Sequence, residues 1–99
     1  MVNTSAIPRK NPATSFRVIE GQALVMQAEG AQVHVLNEVG TRVWGLLDGK
    51  RTVEEIIGLV KEQLLAEDYE QFPANLAADV TGFVDDLEKR GIVVMVEKV

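Results

Sequence analysis

Leu36-Asn37-Glu38-Val39-Gly40-Thr41-Arg42-Val43-Trp44-Gly45-Leu46-Leu47-Asp48-Gly49-Lys50-Arg51-Thr52-Val53-Glu54-Glu55-Ile56 contains two helix starts and the turn between them. Asn37 is a capping residue, whose side-chain oxygen can accept from one of the amides that a helix start leaves unpaired. Val39, Val43, Leu46 and Leu47 then fall on one side of a short helix, with Trp44 flanking the stripe as a core anchor. Asp48-Gly49 supplies the stop. Thr52-Val53-Glu54-Glu55 is a capping box, in which the Thr hydroxyl takes an amide of the first turn and the Glu carboxylate reaches back to the cap amide. Behind it, Val53, Ile56, Ile57, Val60 and Leu64 recur at the spacing of one helix face.

Working outward toward the N-terminus, three short apolar segments precede this pair of helices. Phe16-Arg17-Val18-Ile19 and Ala23-Leu24-Val25-Met26 flank Glu20-Gly21-Gln22, and Val33-His34-Val35-Leu36 follows a second punctuation at Glu29-Gly30. An antiparallel meander is the simplest reading, and a sheet that small needs a layer packed on one face. Residues 1–15, with Pro8 and Pro12 among Asn, Thr and Ser, show no period and read as a flexible arm ahead of a domain at 16–99. Toward the C-terminus, residues 67–75 are a polar connector in which Tyr69 and Phe72 could fold back onto the core. Leu76, Val80, Phe83, Val84 and Leu87 then share a face of a third helix. Lys89-Arg90 sit in its last turn, Gly91 ends it, and Ile92-Val93-Val94-Met95-Val96 is β-branched enough for a closing strand. The expected fold class is α+β: a three-stranded antiparallel sheet followed by three helices and a short terminal strand.

The 99 residues allow one domain, and 46% apolar with 25% charged residues is a globular composition. No apolar run is long enough to span a bilayer, and the N-terminus has no apolar signal region, so the expected location is the cytoplasm with no membrane partner. Absence of cysteine excludes disulfides, thiolate metal sites and cysteine nucleophiles. The net charge of −5 argues against nucleic acid as a partner. That charge is uneven, +2 over residues 1–53 and −7 over residues 54–99.

Chemistry is mostly missing. Glu54-Glu55, Asp85-Asp86 and Glu88 belong on exposed helix faces, where they cap, pair or remain solvated, and Asp85 precedes Lys89 by the four residues that favour pairing. One histidine, His34, cannot build a metal centre or activate Ser5 or Ser15 in a triad. If Val33 and Val35 face the helices, His34 looks out to solvent. The eight glycines never assemble into a phosphate loop, and Asp48-Gly49-Lys50 lacks the spaced glycines that precede a Walker lysine. No catalytic residue, metal ligand or cofactor is expected, and the protein is not expected to be an enzyme.

The segment 36–56 resembles the PqqD family, whose pattern runs from a Leu-Asn pair through a short helix to Leu-x-Asp-Gly and a Thr-led helix with Glu-Ile. Asp79-Val80, Phe83, Leu87 and Gly91-Ile92-Val93 are similar to its closing helix and strand. The resemblance covers roughly residues 16–94 and implies a small winged-helix-like fold with the same element order. It also implies a function: capture of the leader of a ribosomally made precursor peptide and its presentation to a modifying enzyme. In pyrroloquinoline quinone biosynthesis that enzyme is of the radical-SAM class. Dedicated members of the quinone pathway often begin the first helix Asn-Glu-Thr-Ala, with Ile or Leu in the large apolar position. Asn37-Glu38-Val39-Gly40 and Trp44 depart from that, which favours a stand-alone member serving another peptide.

In the family the peptide lies beside the third strand and against the third helix, here residues 31–36 and 76–90. The implied peptide-binding residues are His34 and Val35 from the strand, with Asp79, Phe83, Asp86 and Leu87 from the helix. Asp79 and Asp86 are seven apart and share a face, an acidic rim for a basic peptide residue. An edge strand offers unpaired amides and carbonyls that an extended peptide satisfies. Two rivals remain: a winged-helix DNA-binding domain, opposed by four acidic against two basic residues over 76–90, and an assembly subunit self-pairing through its edge strand. A homodimer, including one that exchanges segments, is left open.

Overall fold

The computed structural model describes residues 3–27, 32–67 and 73–96. The helices begin where the caps demand. The Asn37 side chain accepts from Gly40 N at 2.7 Å and opens α1 (Glu38–Gly45). Thr52 and Glu55 close both bonds of the capping box at the start of α2 (Val53–Ala66). Asn75 accepts from Ala78 N at 3.1 Å ahead of α3 (Leu76–Lys89). Between α1 and α2 the amides of Lys50 and Arg51 bond to Asp48 Oδ1, and these bonds hold the Asp48 carboxyl below its usual range.

The described residues also form five strands: β1 (Ile7–Lys10), β2 (Ser15–Ile19), β3 (Gln22–Met26), β4 (Val33–Val35) and β5 (Val93–Val96). Strands β2, β3 and β4 form the expected antiparallel meander in that order. Its first turn is a two-residue hairpin in which Glu20 and Gly21 both take positive φ, 52° and 81°, the twist that such a turn requires. The expected third strand is shorter than its 31–36 span; Ala31 lies outside the described residues, as do Tyr69 and Phe72.

The arm is where sequence and structure part. Residues 1–15 carry no readable element, yet Ile7–Lys10 pairs antiparallel with β5 from Ile7↔Val96 to Lys10↔Val93. Pro8 is accommodated because its carbonyl accepts from Gly49 N at 3.1 Å and its missing N–H belongs to an edge strand. The same arm supplies acceptors for two open amides of α2: Val53 N donates to Ala6 O and Glu54 N to Thr4 O, both at 2.9 Å. Such contacts join residues more than forty apart, so no local period announces them.

The core gathers Ala23 and Val25 from the sheet, Val43 and Trp44 from α1, Ile56, Val60 and Leu64 from α2, Val80, Val84 and Leu87 from α3, and Ile92 and Val93. Among the described residues no charged or polar side chain is buried in it. Trp44 is 1% exposed, as its expected anchor role requires, and meets Phe16 edge to face at 5.4 Å. Lys10 Nζ stands 5.3 Å from the Trp44 ring and 5.5 Å from that of Phe16. Its pKa is lowered by that partial burial, against the pull of Asp48.

Candidate functional site

Among the described residues strand β4 pairs on one side only, with β3. Leu36 N donates to Ala23 O at 2.9 Å, just past the strand's end. Antiparallel bonding alternates from there, so the backbone of His34 bonds to its partner Val25 while the N–H and C=O groups of Val33 and Val35 point to the unpaired edge.

The side chains alternate the other way about from one expectation. Val33 and Val35 are 51% and 62% exposed, and the valines therefore do not face the helices. His34 sits opposite Val25, which is fully buried, so it turns inward, and its Nε2 is buried without a hydrogen-bond partner among the described residues. The face is chosen by β3, whose Ala23 and Val25 must be covered, and register passes that choice to β4.

Helix α3 reaches the sheet at its C-terminal end. Gln27 Nε2, just past β3, donates to Arg90 O at 2.6 Å, at the helix C-terminus. In the first turn of α1, a Cβ on Gly40 would stand 3.2 Å from Phe83 Cε1 and Cζ, so only a residue without one lets the ring lie there undisturbed. Asp79, Phe83 and Asp86 form one stripe of α3, while Leu76, Val80, Val84 and Leu87 form the buried one. Leu87, 2% exposed, is thus a core residue with no surface to present. Asp86 is exposed, but Arg90 Nε bonds its Oδ2 at 3.0 Å, so the expected rim carries a paired acid at that end. Asp79 is exposed and has no ion pair among the described residues.

Between α1 and α3 lies a cavity of about 160 Å³. Val39, Gly40 and Val43 line it from α1, and Asp79, Val80 and Phe83 from α3. Sequence reading named Asp79 and Phe83 but not the α1 wall. Gly40, a helix-disfavouring residue in a first turn, was the signal that could have exposed it. A shallower concavity of about 540 Å³ covers the outer face of the sheet, where Ile19, Leu24, Met26 and Val33 lie around Arg17. No group of His, Cys, Asp or Glu among the described residues could hold a metal ion, and no described helix is long and apolar enough to cross a membrane.

The sequence model of one family, described as coenzyme PQQ synthesis protein D (PqqD), matches residues 22–93. The chain belongs to the PqqD family. The matched span starts at the first residue of β3 and ends at the first of β5, so the β4 edge, α1 and α3 all fall within the PqqD pattern while β1 and β2 precede it. A solved structure, described as TbiB1 in complex with the TbiA(beta) leader peptide, is similar to this PqqD-family chain with a TM-score of 0.68. The likeness covers 91% of this chain and 99% of that one at 18% identity, and is therefore a likeness of fold. No curated protein sequence matched.

Proposed function

We propose that this PqqD-family protein is a non-catalytic module that captures the leader of a ribosomally synthesised precursor peptide. The leader adds as a strand to β4, and the complex is presented to a modifying enzyme. The observation that carries the reading is the edge at Val33 and Val35, unpaired among the described residues and inside the family-matched span. The fold similarity to a protein solved with a leader peptide supports it.

Backbone groups of Val33 and Val35 supply main-chain bonds to the leader, and alternate side chains of the leader meet α3 at Asp79, Phe83 and Asp86. His34, turned inward, acts by packing beneath the edge, and Leu87 supports α3 from the core. The module contributes proximity and orientation, while bond-making chemistry and any cofactor belong to the partner. A radical-SAM enzyme is the partner class when the product is a quinone cofactor. Asn37-Glu38-Val39-Gly40 and Trp44 favour a peptide other than the quinone precursor. The exposed acids Asp79 and Asp86 on α3 oppose the phosphate contacts that a DNA-binding helix makes.

The test is a ¹⁵N–¹H titration with leader peptides encoded beside the gene and a scrambled control. Saturable shifts confined to β4 and α3 are expected. Shifts that depend on protein concentration without peptide would replace the reading with self-association through the edge.

A further inference from the structure

We propose that the outer face of the β2–β3–β4 sheet is the surface on which the modifying enzyme docks, and that a leader strand added to β4 completes it. The inference rests on the leader-binding reading and adds where the partner sits. Register settles which side chains form the face. Ala23 and Val25 of β3 are buried in the core, so Leu24 and Met26 point the other way. Their partners are Arg17 and Ser15 on β2 and Val35 and Val33 on β4, with Ile19 at the end of the same row on β2. Ile19, Met26, Val33 and Val35 are between 45% and 62% exposed. An antiparallel sheet with one free face ordinarily carries polar side chains there. Here the free face is apolar, which marks an interaction surface rather than a solvated one.

Charge narrows the occupant. Arg17 is the one charged side chain among the described strand residues of this face, in a chain of net charge −5. It has no ion pair among the described residues. The fitting partner is therefore apolar, with a carboxylate set to meet Arg17. A second copy presents the same face with a second Arg17 and no carboxylate, so it does not fit face to face. Continuity then selects the enzyme. Val33 and Val35 offer backbone groups to the leader at the edge and side chains to this face. A leader strand on β4 sends alternate side chains onto the same face, beside the two valines. Size sets the coupling. Three strands about 4.8 Å apart and about five residues long cover about 15 by 17 Å, well below the roughly 800 Å² per partner of a stable interface. A fourth strand enlarges the face by about a third. Docking on the free protein is thus weak, and the enzyme prefers the loaded form.

The probe is the purified modifying enzyme encoded beside the gene, titrated into the full chain with and without leader peptide. Methyl resonances of Ile19, Met26 and Val33 are followed by ¹³C NMR, and affinities by calorimetry. The enzyme is expected to shift all three methyls. It should bind the leader-loaded form at least about fourfold tighter, the worth of burying one further methylene. Arg17→Glu should weaken docking by about tenfold through repulsion of the opposing carboxylate. Lys61→Glu, the same change of charge at an exposed position of α2, should not. Met26→Thr should weaken docking by about tenfold through lost apolar burial, and both face variants should keep the β4 amide shifts with leader. Unmoved methyls, parental affinity in both face variants, or no docking with or without leader overturns the inference and leaves the leader reading intact. So does a dimer that Met26→Thr dissolves, which makes a second copy the occupant. A leader that shifts no β4 amide overturns the leader reading instead, and with it the loaded form as the enzyme's target.

Discussion

Arg42 on α1 and Glu67 at the end of α2 meet fork to fork, with Nη1 2.7 Å from Oε2 and Nη2 2.6 Å from Oε1. The same guanidinium reaches Glu38 Oε1 at 3.1 Å and Gln63 Oε1 at 3.3 Å. An eight-residue helix cannot hold itself in water, so α1 depends on such ties and on its buried face.

The fork carries a pH dependence. The hydrogen bond to Arg42 holds the Glu67 carboxyl below its ordinary value of 4.5. A depressed folded-state pKa means the contribution is complete above the unfolded value and is lost as pH falls from about 4.5 through the folded value. Glu67→Gln should lower Tm at neutral pH, and the gap to the parent protein should close below that window. Thermal denaturation followed by circular dichroism at several pH values checks both.

Trp44 anchors the junction of sheet and helices. Trp44→Ala should cost about 3–5 kcal/mol, as large-to-small changes of buried aromatics do. Trp44→Phe should cost less, since it keeps a ring against Phe16. Urea unfolding of both variants measures the difference.

Deletion of residues 1–10 should destabilise the domain rather than trim an arm. It removes β1 from β5 and withdraws the carbonyls of Thr4 and Ala6 from the first amides of α2. Thr52→Ala, which removes one cap at a cost of about 1 kcal/mol, is the yardstick. The deletion should lower stability by more than that in the same urea titration.

Val35→Pro and Leu36→Pro should behave oppositely. The Val35 N–H points to the open edge, so proline there leaves the β3 ladder intact and removes a donor from a bound peptide. An affinity loss of up to about tenfold, the worth of one net hydrogen bond, is expected with the fold retained. Leu36 N is bonded to Ala23 O, and proline at that position should destabilise the sheet itself. Calorimetric titration with a leader peptide, alongside thermal denaturation, distinguishes the two.

The starts of α1, α2 and α3 were legible, the first two from the caps Asn37 and Thr52, which act on amides within three residues of themselves, and the third from the apolar period that begins at Leu76, since Asn75 reads as the end of a connector. Of these, Asn37 and the Thr52–Glu55 box could be named outright. The strands of the meander were legible from their apolar runs, and Asp79 and Phe83 from the stripe they share. Less legible was which face each side chain takes. His34 alternates with two valines, and alternation is symmetric until something decides which side is covered.

Local pattern therefore settled the elements and their order, since caps, turns and periodicity are set by residues a few positions apart. Packing alone settled the rest. It recruited Ile7–Lys10 to pair with a strand more than eighty residues away, and it turned His34 inward because Val25 had to be covered. It also buried Leu87 while leaving Phe83 against Gly40. These outcomes depend on which surfaces exclude water together, and that is a property of the assembled chain rather than of any segment of it.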